Sequence, residues 1–410
     1  MGLFASILPT GCRVAREYWI RFQSRPDVAN IAVKEDNQVE MFKNRKASSL
    51  AKRARAFLTL HKNSVSRTVR SERVRVQTAG IVGTPVLSKE RIPIFFIVGY
   101  QKSGTTWLMT MLDSHPEILC QGEGRPFGRN FRQEHLKQKK MSYPPTSLYN
   151  AIMSAEDLRY WVERSVWSKD DNTSEHLSNL TRLSIEYFLT HRLQETGKRL
   201  VGDKTVLLSA EIVKEISEIY PEARVIHIIR DGRDVAISAM HHRWNQAEDR
   251  GGSSKTTSDQ RAKRDAYRKD PQDFLKTGEG IFSEGWLEKS AARWNARVSK
   301  TANDGPALLG ANYVEVKYED LLENPGGELK RLLEFLGADA SEQATRDCVD
   351  AASFERLAGG RDRGQEAASF FRKGIAGDWS NVFTERDKQD FKAVAGDLLV
   401  KLGYEEDNNW

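Results

Sequence analysis

The run Ile92-Pro-Ile-Phe-Phe-Ile-Val98 is followed directly by Gly99-Tyr-Gln-Lys-Ser-Gly-Thr-Thr106 and then by Trp107-Leu-Met-Thr-Met-Leu112. A continuous apolar run reads as a strand buried on both faces, and the order strand, small-residue loop, helix points to a parallel α/β architecture. The same order makes an anion cradle, because backbone N–H groups at the helix N-terminus face the ligand and the helix dipole favours its charge. The loop is not a Walker A sequence, since Gly104 is followed by Thr105 and the lysine stands earlier, at Lys102. That disfavours a nucleoside triphosphatase with a P-loop magnesium site.

The same texture recurs downstream. Arg199-Leu-Val201 predicts a short strand before a helix over 208–219, in which Ile212, Ile216 and Ile219 share a face. Arg224–Arg230 predicts a strand leading into a helix near 232–244, and Tyr313–Tyr318 another strand with a helix over 328–336 behind it. Residues 246–280 are polar and rich in Gly, Ser, Lys and Asp, and predict a mobile surface insertion, a candidate lid or recognition loop. The expectation is one α/β domain over 91–405, a parallel sheet flanked by helices, preceded by a basic extension over 1–90.

Charge separates those two parts. The net charge of the 410 residues is +6, yet residues 43–75 hold eleven Lys or Arg against the single acid Glu72, which leaves the remainder mildly acidic. A basic arm on an acidic body predicts a local role for the arm, either a solvated tether or a peripheral contact with an anionic membrane. Nucleic acid is not expected as a partner, because no aromatic residues are interleaved through the arm. No apolar run approaches the ~18–20 residues of a membrane-spanning helix. The opening Met-Gly-Leu-Phe-Ala-Ser fits N-myristoylation at Gly2, with Cys12 available for a second lipid, while four arginines in the first 25 residues also suit an organelle transit peptide. Cytoplasmic, peripheral-membrane and organelle locations all stay open. Cys12, Cys120 and Cys348 are odd in number and widely spaced, which favours a reducing compartment and predicts no metal site.

Gln101-Lys-Ser-Gly-Thr-Thr-Trp107 resembles the 5′-phosphosulfate loop of the sulfotransferase family, whose donor is 3′-phosphoadenosine 5′-phosphosulfate (PAPS). Three further blocks follow in that family's order. Val225-Ile-His-Ile-Ile-Arg-Asp-Gly-Arg-Asp-Val-Ala-Ile-Ser238 is similar to the 3′-phosphate segment, with Arg230 and Ser238 in the phosphate-holding places. Lys317-Tyr-Glu-Asp-Leu-Leu-Glu-Asn-Pro325 resembles the segment whose tyrosine, here Tyr318, approaches adenine, and Phe371-Arg-Lys-Gly-Ile-Ala-Gly-Asp-Trp379 resembles the C-terminal phosphate loop. The resemblance implies a P-loop nucleotide-kinase-like sulfotransferase fold and donor contacts from Lys102, Ser103, Gly104, Thr105, Thr106, Trp107, Arg230, Ser238, Tyr318, Arg372, Lys373 and Gly374. It also implies transfer to an acceptor hydroxyl without a metal.

Read by residue chemistry alone, a donor with phosphates at both ends needs two anion sites, and arginine supplies a rigid fork for two oxygens at once. Arg230 fits equally a strand-end arginine paired with Asp231 or Asp234, and Arg372 and Lys373 fit an ordinary solvated pair. Trp107 suits a core position as well as a base platform. Lys102 is assigned to the oxygen bridging sulfur and the 5′-phosphate. The resemblance makes Lys204, in Gly202-Asp-Lys-Thr205, a second cation beside the transferred group; a surface lysine is the alternative.

No histidine lies in the Lys-Thr-His context of the soluble aryl and steroid enzymes, and His241 and His242 read as exposed helix residues. Leu112-Asp-Ser-His-Pro-Glu-Ile-Leu-Cys-Gln-Gly-Glu-Gly-Arg125 looks closer to the tyrosylprotein branch, which makes Glu123, twenty-one residues beyond Lys102, the candidate base. A loop acid in contact with Arg125 or Arg129 is the plainer reading. A buried Glu123 would need a cation beside it, and Arg125 is the candidate for that and for acceptor binding. Gly122 and Gly124 replace a glutamate and a threonine of the tyrosylprotein pattern, which favours a sugar, small alcohol or lipid acceptor over a peptide. The competing readings are a tyrosylprotein sulfotransferase, a nucleotide or small-molecule kinase, and an adaptor organised by the basic arm.

Overall fold

Five parallel strands form one sheet in the order β2-β3-β1-β4-β5: β1 Ile94–Gly99, β2 Ile118–Gly122, β3 Leu200–Val206, β4 Arg224–Ile229 and β5 Tyr313–Lys317. The computed structural model describes residues 92–128, 147–168, 172–249, 258–365, 369 and 371–410. All of these belong to one compact unit, Leu87–Trp410. The basic arm, Gly2 and Cys12 lie outside the described residues.

Every residue of β1 is buried, as a central parallel strand requires. Alternation sends Phe95 and Ile97 to one face of the sheet and Ile94, Phe96 and Val98 to the other. On the first face they meet Leu108, Met111 and Leu112 of α1 (Thr105–Asp113) and a leucine row, Leu329, Leu332, Leu333 and Leu336. On the second they meet Ile185 of the long helix α2 (Thr173–Thr196) and the Ile212, Ile216, Ile219 stripe of α3 (Ile212–Ile219). A third cluster joins α4 (Gly232–Asp249) to α5 (Trp286–Leu309) and to the C-terminal helix through Trp244, Trp294 and Phe391. The leucine row sits on α6 (Pro325–Leu336), which starts where the sequence dictates. The Asn324 side chain accepts from the Gly327 N–H, and Pro325, lacking a donor, occupies the first turn. The C-terminal helix α7 (Glu385–Lys401) opens on a reciprocal cap between Thr384 and Asp387.

Several boundaries differ from expectation. The strand read over 199–201 runs on to Val206, so Asp203 and Lys204 lie within β3 and are buried. β2, with its short Ile-Leu-Cys core, was not visible in the pattern, and the helix read from 208 begins at Ile212. Helix α4 continues to Asp249. Much of 246–280 is helical, over Ser258–Lys269 and Pro271–Lys276, and Tyr267 and Phe274 anchor it in the third cluster. Two aromatic side chains among many charges suffice to dock that stretch. Cys120 and Cys348 are buried free thiols.

Candidate active site

Ligands of open parallel sheets bind beyond the carboxyl ends of the strands, where the chain order reverses. β1 lies between β3 and β4, and the loop that leaves it turns tightly to start α1. Lys102 has φ 69° and Gly104 φ 90°, and Ser103 N–H donates to Tyr100 O at 3.1 Å. Glycine is required at 104 on two counts: its φ is left-handed, and a Cβ there would lie 2.5 Å from the Tyr318 ring. No acid stands in the first turn of α1, so the positive end of that helix is uncompensated.

An open cleft of ≈ 750 Å³, its mouth included, lies above this loop. Its walls bring together Lys102, Gly104, Thr105, Thr106, Trp107, Arg230, Ser238, Tyr318, Arg372, Lys373 and Gly374 from all four sequence blocks. Ser103, also expected there, is instead fully buried beneath the loop and does not line the cleft.

Arg230 leaves the end of β4 and bridges the loop after β1 to the segment around Ile375. Its Nη1 donates to Lys102 O at 3.3 Å, its Nη2 to Ile375 O at 2.9 Å, and its guanidinium lies 4.3 Å over the Tyr318 ring. The Asp234 carboxylate is 3.4 Å away and is largely engaged elsewhere, accepting the N–H groups of Gly377 and Trp379 at 2.8 and 3.0 Å. The Arg230 Nε is buried with no hydrogen-bond partner among the described residues, a donor left for a ligand. Arg372 and Lys373 are not a solvated pair: both reach the buried Asp378 carboxylate, at 2.6 and 3.0 Å, and against the upward pull of burial the two cations hold that carboxyl below its usual range.

One wall of the cleft escaped sequence reading. Phe354, Leu357, Arg363, Phe371 and Ile375 line it, and Arg363 lies 5.2 Å over Trp107 and 5.1 Å over Phe354. Trp107 is both core and platform, since its indole N–H donates to Ala352 O at 2.9 Å while a face of the ring meets the cleft. Backbone carbonyls 371–374 are gripped from a preceding strap. Arg361 bonds those of Phe371 and Arg372, Gly364 N–H that of Lys373, and Arg363 that of Gly374. Arginines whose partners are carbonyls leave no pattern of opposite charges in the sequence.

Glu123, Arg125 and Lys204 do not line the cleft; the first two follow the carboxyl end of β2 and Lys204 lies beside them within β3. Lys204 Nζ donates to Glu123 Oε1 at 2.7 Å, with the lysine side chain 6% exposed and the glutamate 52%. The cation beside the carboxylate is therefore Lys204, not Arg125, whose exposed side chain makes no hydrogen bond or ion pair among the described residues. A Cβ at Gly122 would lie 2.7 Å from Lys204 Cε and 2.8 Å from Met109 Sδ, so the lysine chain passes directly over this glycine. Lys102, Glu123 and Arg125 are the three non-glycine residues with positive φ among the described residues, at 69°, 60° and 56°. Such conformations cost of order 1–3 kcal/mol each and persist where surrounding structure enforces them.

The two ends meet electrostatically. Burial, reinforced by Arg230 and then Lys204, pulls the Lys102 ammonium down to about 8. Burial raises the Asp203 carboxyl to about 6, against its hydrogen bonds from Gly124 and Thr205. His241 is buried against Trp244 and Tyr267, and burial, with Arg372 and Lys373 nearby, drives its pKa well down. His242 is half-buried and is lowered by burial and by Lys102. Neither is the exposed residue expected, because α4 packs on both sides here. Among the described residues no group of three or more His, Cys, Asp or Glu is placed to hold a metal.

A parallel sheet with an anion loop after its central strand, and a cation-lined cleft above it, defines an α/β protein of the P-loop-like class. The sulfotransferase domain model matches residues 93–403, and the chain belongs to that family. Protein-tyrosine sulfotransferase A of Caenorhabditis elegans is 25% identical over 248 residues, 60% of this chain and 50% of that protein. The chain thus matches only about half the length of that relative. Cytosolic sulfotransferase 1 of Danio rerio is 26% identical over 312 residues, 73% of this chain and 80% of that one. The solved structure of mouse sulfotransferase SULT7A1 complexed with PAP aligns over 77% of this chain and 87% of that one, at 17% identity and a TM-score of 0.42.

Proposed function

We propose that this chain transfers the sulfuryl group of PAPS to a hydroxyl of a non-peptide acceptor, such as a sugar, small alcohol or lipid. The observation that carries the reading is that one cleft holds both sets of cations, Lys102 with the α1 N-terminus and Arg230 with Arg372 and Lys373. A ligand with phosphates at two ends answers that arrangement. The unpartnered Arg230 Nε fits a further phosphate oxygen, and Trp107 and Tyr318 offer aromatic surface to adenine.

In this reading the acceptor oxygen attacks sulfur in line, the bond from sulfur to the oxygen bridging to the 5′-phosphate breaks, and the acceptor proton passes to the Glu123 carboxylate. The products are the sulfate ester and adenosine 3′,5′-bisphosphate. The Lys102 ammonium neutralises charge on the leaving phosphate, and Lys204 orients Glu123 through their ion pair. Arg125 faces solvent at the acceptor side. A glycine at 122, where the tyrosylprotein pattern carries a glutamate, supports a non-peptide acceptor. The match to a protein-tyrosine sulfotransferase keeps tyrosyl peptides as the second reading.

Calorimetric titration tests the donor. Saturable heat is expected with adenosine 3′,5′-bisphosphate and little with magnesium ATP, whereas tight ATP binding with no bisphosphate heat would favour a kinase and end this reading. Radiolabelled PAPS offered with a hexosamine, octanol, 4-nitrophenol and a tyrosyl peptide then separates the acceptor classes. Labelling of the peptide alone would replace the non-peptide reading with the second.

A further inference from the structure

Glu123 and Arg125 hold left-handed backbone on either side of Gly124, and three hydrogen bonds pin that turn. Glu123 N–H donates to Lys204 O at 2.9 Å, Leu148 N–H donates to Arg125 O at 3.1 Å, and Gly124 N–H donates to Asp203 Oδ2 at 3.2 Å. The first two are backbone bonds that any sequence could supply. The third needs a side chain, and it comes from a residue only 4% exposed within β3. Thr205 Oγ1 donates to the other Asp203 oxygen at 3.4 Å. Lys204 on its own strand and Glu123 beyond β2 are the charged groups beside it, Cys120 of β2 is the neighbouring thiol, and β1 places Phe96 opposite. A polar side chain buried with so few donors is costly to keep, and its bond to the Gly124 N–H is the contact that offsets that cost.

We propose that Asp203 is a positioning residue: its carboxylate holds the Gly124 N–H and so fixes the left-handed turn that aims Glu123 at Lys204 and at the acceptor. The inference rests on the reading of Glu123 as the base. Asp203 touches neither donor nor acceptor in this scheme and acts through Glu123.

Hydrogen exchange at the Gly124 amide, with turnover of radiolabelled PAPS on whichever of the four acceptors reacts fastest, tests this on the full chain. Asp203→Ala should speed Gly124 exchange and lower kcat by about 10–100-fold, the scale of an ångström's misplacement. Affinity for adenosine 3′,5′-bisphosphate should stay within about twofold, since no donor contact is lost. Asp203→Asn keeps an acceptor oxygen and should restore slow exchange and most of the rate. On a Glu123→Gln background, Asp203→Ala should cost almost nothing more. Unchanged Gly124 exchange in Asp203→Ala, or full additivity with Glu123→Gln, overturns the proposal while leaving the base in place. Normal turnover in Glu123→Gln alone brings down the base reading itself and this inference with it. Should Asp203→Ala fail to fold, the asparagine variant decides alone: fast Gly124 exchange, or a rate loss above about tenfold, overturns the proposal.

Discussion

In the donor cleft, cations come from several separate segments of chain and most are tied to backbone carbonyls or to Asp378, whereas at the transfer end a single ion pair, Lys204 with Glu123, stands on a strained turn. The cleft therefore spreads its hold on a ligand over many modest contacts. In the proposed reading the transfer end concentrates its chemistry in a few atoms held by few bonds. Losing one member should weaken the first gradually and the second abruptly.

Lys102 belongs to both regions, and its removal is the severest test of the contrast. Lys102→Ala should lower kcat by roughly 10²–10³-fold, the cost of deleting one charge-stabilising donor, while circular dichroism and thermal melting stay close to those of the unaltered chain. A loss no greater than that of a cleft arginine would erase the distinction. Next in size, Arg230→Ala should weaken adenosine 3′,5′-bisphosphate binding by about 10–100-fold in calorimetry, as expected for charge-assisted bonds of ~1.5–3 kcal/mol, with a smaller change in kcat. A purely kinetic effect would move Arg230 to the transfer end.

The pH response sharpens the comparison further. Lys102 is cationic below about 8 and loses its charge above it, so kcat/KM for the donor, which reports the free enzyme, should fall up to tenfold per pH unit beyond that point. Bound donor, being anionic, should carry the limb of kcat to higher pH. A kcat/KM profile flat to pH 10 would mean that Lys102 is not the group that meets the donor. Smallest of all, Arg363→Ala should cost about two- to fivefold in bisphosphate affinity, the scale of an exposed cation–π contact, with kcat unchanged.

The central strand and the phosphate loop were legible in the sequence, because glycines, a buried apolar run and an arginine at a strand end carry their geometry with them. The family resemblance added the order of the four blocks and brought the residues named to eleven of the sixteen that line the cleft. The transfer end was less so. Asp203 and Lys204 are charged, so nothing in a hydrophobic pattern extends β3 through them, and only the sheet register places Lys204 beside Gly122. The partner of Glu123 was misread for the same reason: Arg125 is near in sequence, while Lys204 is near in space. Arg361 and Arg363 stayed invisible because their partners are carbonyls, a hydroxyl and aromatic rings, none of them an opposite charge. His241 was read as exposed because the covering residue Tyr267 comes from a stretch whose composition looks like loop.

Gly202 faces Phe95 across β3 and β1, and a Cβ there would lie 2.2 Å from the phenyl ring. The ring rests on bare backbone, keying together the strand that ends just before Lys102 and the strand that contains Lys204. An uncharged contact deep in the core thus sets how closely these two strands lie, and one methyl group at position 202 is the smallest wedge that would part them from within.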